Sequence, residues 1–395
     1  MWMNEKEYDC IVVGGGPAGS TFARIAAQGG LSVLLLEKDR DIGLPVRCGE
    51  AISDSGIRLF VDLDPRWITS SIDRIGLIAP DETKIEFDLI EKGYILDRRI
   101  FDYDLAQYAA LEGARIITKA YVNGLIIDDD KITGVKGTYL GETFEVKAKI
   151  VVGADGVESR VGRWAGLKTT LKLKDIESGI QKTVTGIDCQ DNLFEFYLSK
   201  RWAPGGYLWV FPKGKNRANI GLGLSGNFAR DGKAAHKFLD EFLEWKYPEA
   251  SVLTTVVGGI PVAKTVKEMV TDGLMLVGDA AHTCNPLTGG GITPGMRSGL
   301  LAAETAITAL NNGGPTKKNL QAYEKSWRKI GGKNHEKYYR IKEAIYKFSD
   351  DDLNEIASRL AIIPESERNL LKLFLAAVRN KPSLLIDVAR VFAGV

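Results

Sequence analysis

The amino-acid sequence predicts an α/β fold with a parallel-stranded first domain, an inserted β-rich domain and a C-terminal helical region. Three observations lead there. A short apolar run from Tyr8 to Val13 is followed by glycines, a helical stretch from about Pro17 to Gly29 and a second apolar run from Ser32 to Glu37. From about Lys172 to Val262 the pattern changes to β-type alternation. Beyond Pro315 it is helical and amphipathic to the end.

The first two runs and the helix between them form a strand–helix–strand unit, whose crossover is expected to be right-handed with parallel strands. Asp97 to Glu112 reads as a helix, and Ala114 to Thr118, Val122 to Ile127, Gly134 to Leu140 and Lys149 to Gly153 read as strands. Within the β-rich stretch the expected strands are Glu195 to Leu198, Tyr207 to Phe211, Ala218 to Leu224 and Ser251 to Val257, interrupted by a helix from about Lys233 to Trp245. Leu274 to Val277 returns as a buried strand, followed by a glycine-rich loop and a helix from about Thr293 to Leu310. The expected division is a discontinuous first domain (1–80, 97–170 and 263–312), a β-rich domain (81–96 and 171–262) and a helical region (313–395).

The totals narrow the function classes. A chain of 395 residues exceeds one small core. With 52 basic against 51 acidic side chains and no long block of one sign, a nucleic-acid footprint is not expected. Cys10, Cys48, Cys189 and Cys284 form no Cys-x-x-Cys pair, so neither a disulfide framework nor a metal site is expected, and a reducing cytoplasm fits. The polar lead-in at Asn4, Glu5 and Lys6 lacks the apolar core of a signal peptide, and no apolar run approaches the ~18 residues of a membrane span. Membrane contact is therefore expected to be peripheral.

Gly14, Gly16 and Gly19 in GGGPAG have the G-x-G-x-x-G spacing between first strand and first helix. The first permits a tight turn, the second lets a pyrophosphate approach the backbone, and the third lets helix and strand pack closely. The helix N-terminus then offers unpaired N–H groups to phosphate. Glu37, ending the second strand, is where a carboxylate accepts hydrogen bonds from an adenosine ribose. Gly221, Gly223 and Gly226 repeat the spacing, but the helix that follows is displaced and the next strand ends in Gly258 and Gly259 with no acid. They are read as glycines of a strand end, leaving one nucleotide domain.

Two further motifs follow buried strands. GADGVESRVGRWAG places Asp155 and Gly156 after one strand, with Ser159 and Arg160 on the next turn. GDAAHTCNPLTGGGITPG places Asp279 after another and Gly289, Gly290 and Gly291 at the start of a helix. Asp279 can accept a ribityl hydroxyl, and the helix beginning near Ile292 can aim its dipole at the charge of a reduced flavin.

These motifs, in this order, resemble the p-hydroxybenzoate hydroxylase-like FAD superfamily, with its Rossmann-like domain. Within it the chain is most similar to the geranylgeranyl reductases, through RCGE at Arg47 to Glu50, Arg98 with Phe101 and Asp102, and Tyr207-x-Trp209-x-Phe211-Pro212. The likeness covers about residues 8–310 with specific motifs and the C-terminal helices generically. It implies non-covalent FAD, a reduced donor (NAD(P)H, ferredoxin or a deazaflavin) and a prenylated glycerophospholipid substrate whose geranylgeranyl chains are saturated. It puts Ala18, Glu37, Cys48, Gly49, Ala51, Arg98, Val122, Asp279, Gly291 and Ile292 around the flavin. Departures stand at His282 and Gly295, and Thr293 and Pro294 replace an asparagine usual in the hydroxylases, which favours reductase over oxygenase.

Tyr207, Trp209 and Phe211 alternate and so share one strand face. An ordinary aromatic core is the default reading, whereas the resemblance makes them a wall for a hydrocarbon chain. Cys48 is expected beside the isoalloxazine, with a redox or proton role weighed against apolar filling. Cys10 is core, Cys284 sits in the flavin loop, and His236 and His335 lie in polar helical contexts without an assigned role. The C-terminal apolar residues, among them Leu370, Leu371, Leu373, Phe374 and Leu375, are expected to pack on the body or to cover a lipid entrance, and Lys337, Arg340, Lys342, Lys372 and Arg379 to be solvated or to meet a phosphate head group.

The expected chemistry is hydride transfer from N5 to a trisubstituted C=C, with catalytic candidates Cys48, Tyr207 and Trp209 and no identifiable proton donor. The alternatives are an FAD-dependent aromatic or terpenoid monooxygenase and a non-catalytic prenyl-lipid binding protein of the same fold.

Overall fold

The computed structural model describes residues 7–228, 234–379 and 382–392. The lead-in at Asn4 to Lys6 and the expected helix start at Lys233 lie outside the described residues. β1 (Tyr8–Val13), α1 (Pro17–Gln28) and β2 (Val33–Leu36) make the first unit, with parallel register from Cys10↔Val33 to Val13↔Leu36. β3 (Ala51–Ser53), α2 (Asp54–Arg58), β4 (Ile68–Ile78) and β5 (Lys84–Leu96) follow, then α3 (Arg98–Leu111), β6 (Arg115–Ile117), β7 (Ala120–Asp128), β8 (Lys131–Tyr139) and β9 (Glu142–Gly153). α4 (Arg160–Trp164) leads to β10 (Ile176–Thr185), β11 (Leu193–Tyr197), β12 (Tyr207–Pro212), β13 (Arg217–Ser225), α5 (Ala235–Lys246) and β14 (Ser251–Pro261). β15 (Val270–Thr271), β16 (Leu274–Leu276) and α6 (Ile292–Asn311) complete the first layer. α7 (Lys317–Trp327), α8 (Lys333–Ile345), α9 (Asp350–Ala361), α10 (Leu370–Ala377) and α11 (Pro382–Phe392) form the helical region.

The first sheet runs β15-β16-β9-β1-β2-β6, parallel from β16 to β6, with β7 and β8 as an antiparallel extension of β9. Its central strands are apolar on both faces because helices and the β7–β8 ribbon cover them, so Ile11, Val12, Leu34, Leu35, Val151 and Val152 are all buried. The C-terminal ends of β1, β9 and β16 therefore deliver three loops, after Val13, Gly153 and Leu276, to one edge of the sheet.

The second sheet runs β14-β10-β13-β12-β11-β4-β5-β3. It takes in β3 and β4, which lie within the 1–80 span assigned from sequence to the first domain. Polar residues break the apolar pattern of β4 (ITSSIDRIGLI), and its neighbour β11, paired in parallel, is over a hundred residues away in sequence, a partner that local periodicity does not reveal. Gly221 and Gly223 lie in β13, an antiparallel strand, as expected of glycines that hold no phosphate. A Cβ at Gly221 would meet the Trp209 ring at 2.5 Å and one at Gly223 would meet Glu177 Oε2 at 2.3 Å, so this second spacing makes room for side chains.

Candidate active site

The first loop is shaped by contacts that only glycine permits. Gly14 has φ +110°, and a Cβ there would lie 2.4 Å from the Ala154 carbonyl oxygen; a Cβ at Gly19 would lie 2.0 Å from the Gly14 oxygen. An added Cβ at Gly16 meets nothing, so that backbone faces open space. Gly16 caps α1 without a side-chain hydrogen bond, leaving the helix N–H groups free for an anion. A channel of about 260 Å³ passes here, lined by Gly14, Gly16, Glu37, Arg98, Val122 and Asp155. Glu37 accepts from Gly15 N through Oε2 at 2.8 Å and from Asp39 N through Oε1 at 2.9 Å, so both oxygens keep a lone pair. Asp155 accepts from Val161 N at 3.0 Å through Oδ2, while its Oδ1 is buried with no partner, and burial raises its carboxyl.

The second and third loops are tied together, since Ser159, left-handed at φ 43°, donates through Oγ to the Ala280 oxygen at 2.8 Å. Gly291 caps α6 with no side-chain hydrogen bond, and a Cβ there would lie 3.3 Å from Asp279 Oδ1. Asp279 thus stands at an open helix N-terminus, with burial pushing its carboxyl up to about 6 against the opposing pull of Arg98. Arg98, paired with Asp102 through Nε and Nη2 at 2.6 Å each, lines both the channel and the cavity beyond it. An orphaned Asp155 oxygen, two uncapped helix N-termini and an open Gly16 backbone are features that a bound FAD would satisfy.

Beyond Asp279 lies a cavity of about 940 Å³. Ala18, Cys48, Gly49, Ala51, Gly291 and Ile292 line it together with Asp279, and Tyr207, Trp209 and Phe211 form a wall. Ring centroids are 5.9 Å apart for Tyr207 and Trp209 and 6.1 Å for Trp209 and Phe211. The sequence reading missed Phe194 and Phe196, which extend this wall at 4.8 Å from Phe211 and 5.5 Å from Tyr207. Their alternate spacing was visible; their place beside the wall follows from the Phe196↔Trp209 pairing. Leu370, Leu373 and Phe374 of α10 line the opposite end, so these apolar residues face the cavity rather than only a helical bundle.

Cys48 is held in a chain of hydrogen bonds: its oxygen accepts from Gln181 Nε2 at 2.9 Å, and Gln181 Oε1 accepts from Trp209 Nε1 at 3.0 Å. Burial raises its thiol, which is therefore a neutral thiol at physiological pH. Next to it, buried Glu50 accepts from Arg98 N at 2.9 Å and Asn219 Nδ2 at 2.6 Å and pairs with Lys213. Neither Lys213 nor Asn219 carried a sequence signal, because each meets Glu50 from more than 160 positions away. This pair locks the RCGE loop to the second sheet.

Other singled-out residues are structural. Cys10 is in the core, His282 bonds the Thr169 oxygen, and His335 is buried against the Ala263 oxygen rather than in a polar setting. Lys342 is fully buried with Nζ 2.8 Å from the Val262 oxygen, and Arg340 forks onto Asp387 at 2.8 Å, so neither waits for a head group. Among the described residues, no group of three or more His, Cys, Asp and Glu could hold a metal ion, and no helix is long and apolar enough to cross a membrane.

Comparison with known proteins bears on this geometry. A model of the geranylgeranyl reductase catalytic domain matches residues 175–260, and one of an NAD(P)-binding Rossmann-like domain matches residues 12–75. The chain is 44% identical over 390 residues to a digeranylgeranylglycerophospholipid reductase of Methanocella arvoryzae, covering 97% of this chain and 99% of that one. It is 41% identical to digeranylgeranylglycerophospholipid reductase 2 of Methanococcoides burtonii, covering 99% of this chain and 97% of that one. The crystal structure of a geranylgeranyl bacteriochlorophyll reductase-like protein from Thermoplasma acidophilum superposes with a TM-score of 0.91 at 34% identity, covering 98% of this chain and 100% of that one. A flavin-dependent brominase, at 18% identity and a TM-score of 0.70 over 95% of this chain and 99% of that one, shares the fold alone.

Proposed function

The chain belongs to the geranylgeranyl reductase family, and we propose that it saturates C=C bonds of geranylgeranyl chains on archaeal-type ether-lipid precursors, with non-covalently bound FAD. The observation that carries this reading is the 940 Å³ cavity, which shares Gly16 and Arg98 with the nucleotide channel and is lined by Asp279 and Gly291 as well as by the aromatic wall. Only a long apolar substrate makes use of such a wall, since each buried CH₂ contributes roughly 0.8 kcal/mol.

In this reading Gly14, Gly16 and Gly19 shape the pyrophosphate cradle and Glu37 receives the adenosine ribose. Arg98, Val122 and Asp155 border the nucleotide, and Asp279 receives a ribityl hydroxyl. Gly291 and Ile292 turn the α6 N-terminus toward the flavin ring. Bound FAD supplies hydride at N5 once reduced. Tyr207, Trp209 and Phe211 hold the chain against that face and exclude water. Cys48, Gly49 and Ala51 close the side opposite α6, fixed by Glu50 and Lys213.

The donor that reduces the flavin, NADH, NADPH, ferredoxin or a deazaflavin, has no second G-x-G-x-x-G domain to bind among the described residues, which supports a transient encounter. The lipid is collected at a bilayer surface, and no helix among the described residues is long and apolar enough to span it. Exposed Val252, Leu253 and Val257 on the β14 edge, and α10 at the cavity, support a peripheral contact. The test is anaerobic incubation with digeranylgeranylglyceryl phosphate and each donor, read by mass spectrometry. Gains of two hydrogens per double bond are expected, and an unreduced lipid with every donor, or an oxygenated product in air, overturns the reading.

A further inference from the structure

The double bonds of a geranylgeranyl chain carry no polarising group, so saturation needs a proton on one carbon as hydride reaches the other. Several titratable side chains line the cavity near its flavin end, and their hydrogen bonds distinguish them. Tyr207 donates to the Thr288 oxygen at 2.5 Å, so its proton is committed to the backbone. Cys48 is a raised thiol whose sulfur accepts from Glu50 N at 3.2 Å. Tyr346, directly after α8, lines the same cavity and is hydrogen-bonded to Glu177, a carboxyl with 2% exposure on β10. Among the described residues, Tyr207 is the other tyrosine lining this cavity, and its hydroxyl bonds a backbone oxygen rather than a carboxyl.

We propose that Tyr346 is the catalytic proton donor to the alkene and that Glu177 is the positioning residue that resupplies it. The proposal rests on the reductase reading above. The C=C π electrons form a C–H bond with the Tyr346 phenolic proton as the O–H bond breaks. Hydride from the reduced flavin, carrying two electrons, completes the second carbon. The phenolate then takes the Glu177 proton, and Glu177 regains one from solvent; the alkene is reduced and the flavin oxidised by two electrons.

The pair has a built-in direction. When Glu177 is ionised it accepts the phenol proton, and its charge helps hold the phenol well above its ordinary range. When Glu177 is protonated it donates to the phenol oxygen, which frees the phenolic proton to face the cavity. Burial brings Glu177 to about 7, against the pull of Tyr346 and Lys342, so both states are populated near neutrality. The groups facing the pair are Tyr207 from β12, Cys284 from the loop before α6 and Lys342 one helical turn before Tyr346. Lys342 Nζ lies 3.4 Å from Glu343 and 3.7 Å from Asp175, and Glu343 is partly exposed, so titratable groups continue from the pair to solvent.

The test uses pre-reduced holoenzyme in single turnovers with digeranylgeranylglyceryl phosphate in vesicles. Tyr346→Phe should lower the reduction rate about a hundredfold or more, in the range of a general acid, with flavin content and lipid binding unchanged. The wild-type rate should fall as pH rises through about 7, and Glu177→Gln should be slower and lack that step. Independently of turnover, infrared difference spectra of the oxidised, lipid-free holoenzyme should show a carboxyl titrating near 7 that Glu177→Gln abolishes. Wild-type rates in Tyr346→Phe, or the wild-type pH step in Glu177→Gln, would overturn the assignment while leaving the reductase reading intact. A wild-type enzyme that leaves the lipid unreduced would overturn both.

Discussion

The nucleotide channel and the lipid cavity share Gly16, Arg47, Arg98 and Ala154 yet are made in opposite ways. The channel is built from backbone: uncapped N–H groups of α1, an open Gly16 and contacts at Gly14 and Gly19 too close for any Cβ. The cavity is built from side chains, with aromatic rings of β11 and β12 on one side and leucines of α10 on the other. A phosphate is recognised by a few donors fixed within one strand–helix turn, so its site is local in sequence. A hydrocarbon chain needs area without direction, and that area is gathered from segments scattered between residues 16 and 377.

Substitutions at the joint should disturb both regions, and those in either region only one. The largest effect is expected at Lys213, whose ammonium neutralises Glu50 where the RCGE loop meets the second sheet. Lys213→Met leaves a buried carboxylate unpaired, a loss of roughly 3–5 kcal/mol, so thermal stability and flavin content should fall together. Adding Glu50→Gln should recover much of the loss; a single variant as stable as wild type would show that the pair is not the joint.

Trp209→Ala removes one ring of the cavity wall, at a cost of roughly 3–5 kcal/mol for a core aromatic. Lipid reduction should collapse while FAD absorbance per chain stays, and Trp209→Phe should recover part of the rate. Parallel loss of flavin would mean that the wall and the cradle are one unit. Glu37→Lys is the mirror case. It removes the carboxylate that fixes Gly15 N and places an ammonium in the channel, so FAD affinity should fall about 10- to 100-fold, or roughly 1.4–2.8 kcal/mol, while the apoprotein keeps its stability. Equilibrium dialysis of flavin decides it.

The smallest effect lies at Asp279. Burial raises Asp279 from 3.8 to about 6, so the folded apoprotein binds a proton more tightly than the unfolded chain. Its contribution to stability should therefore decline as pH rises from about 4 to about 6 and stay level above. Asp279→Asn should flatten that part of the melting-temperature profile; an unchanged slope would place the titration elsewhere.

The nucleotide half was legible in the order of the residues. Three glycines, Glu37, Asp155 and Asp279 could be set at strand ends because each lies within a few residues of one, and the flanking apolar runs marked the strands of the first sheet. The alternation at Tyr207, Trp209 and Phe211 likewise announced a shared face. Which side chains stand across from them emerges only on folding. Phe194 and Phe196 join the wall through strand pairing, β3 and β4 join the second sheet through a parallel partner far along the chain, and Lys213 finds Glu50 across 163 positions. Lys342, Glu177 and Tyr346 look like ordinary charged and aromatic residues in the sequence. Burial against one another, which depends on α8 docking over β10, is what shifts their proton affinities. Backbone geometry is encoded locally by the residue that adopts it, whereas desolvation belongs to the assembled neighbourhood and is written in no single segment.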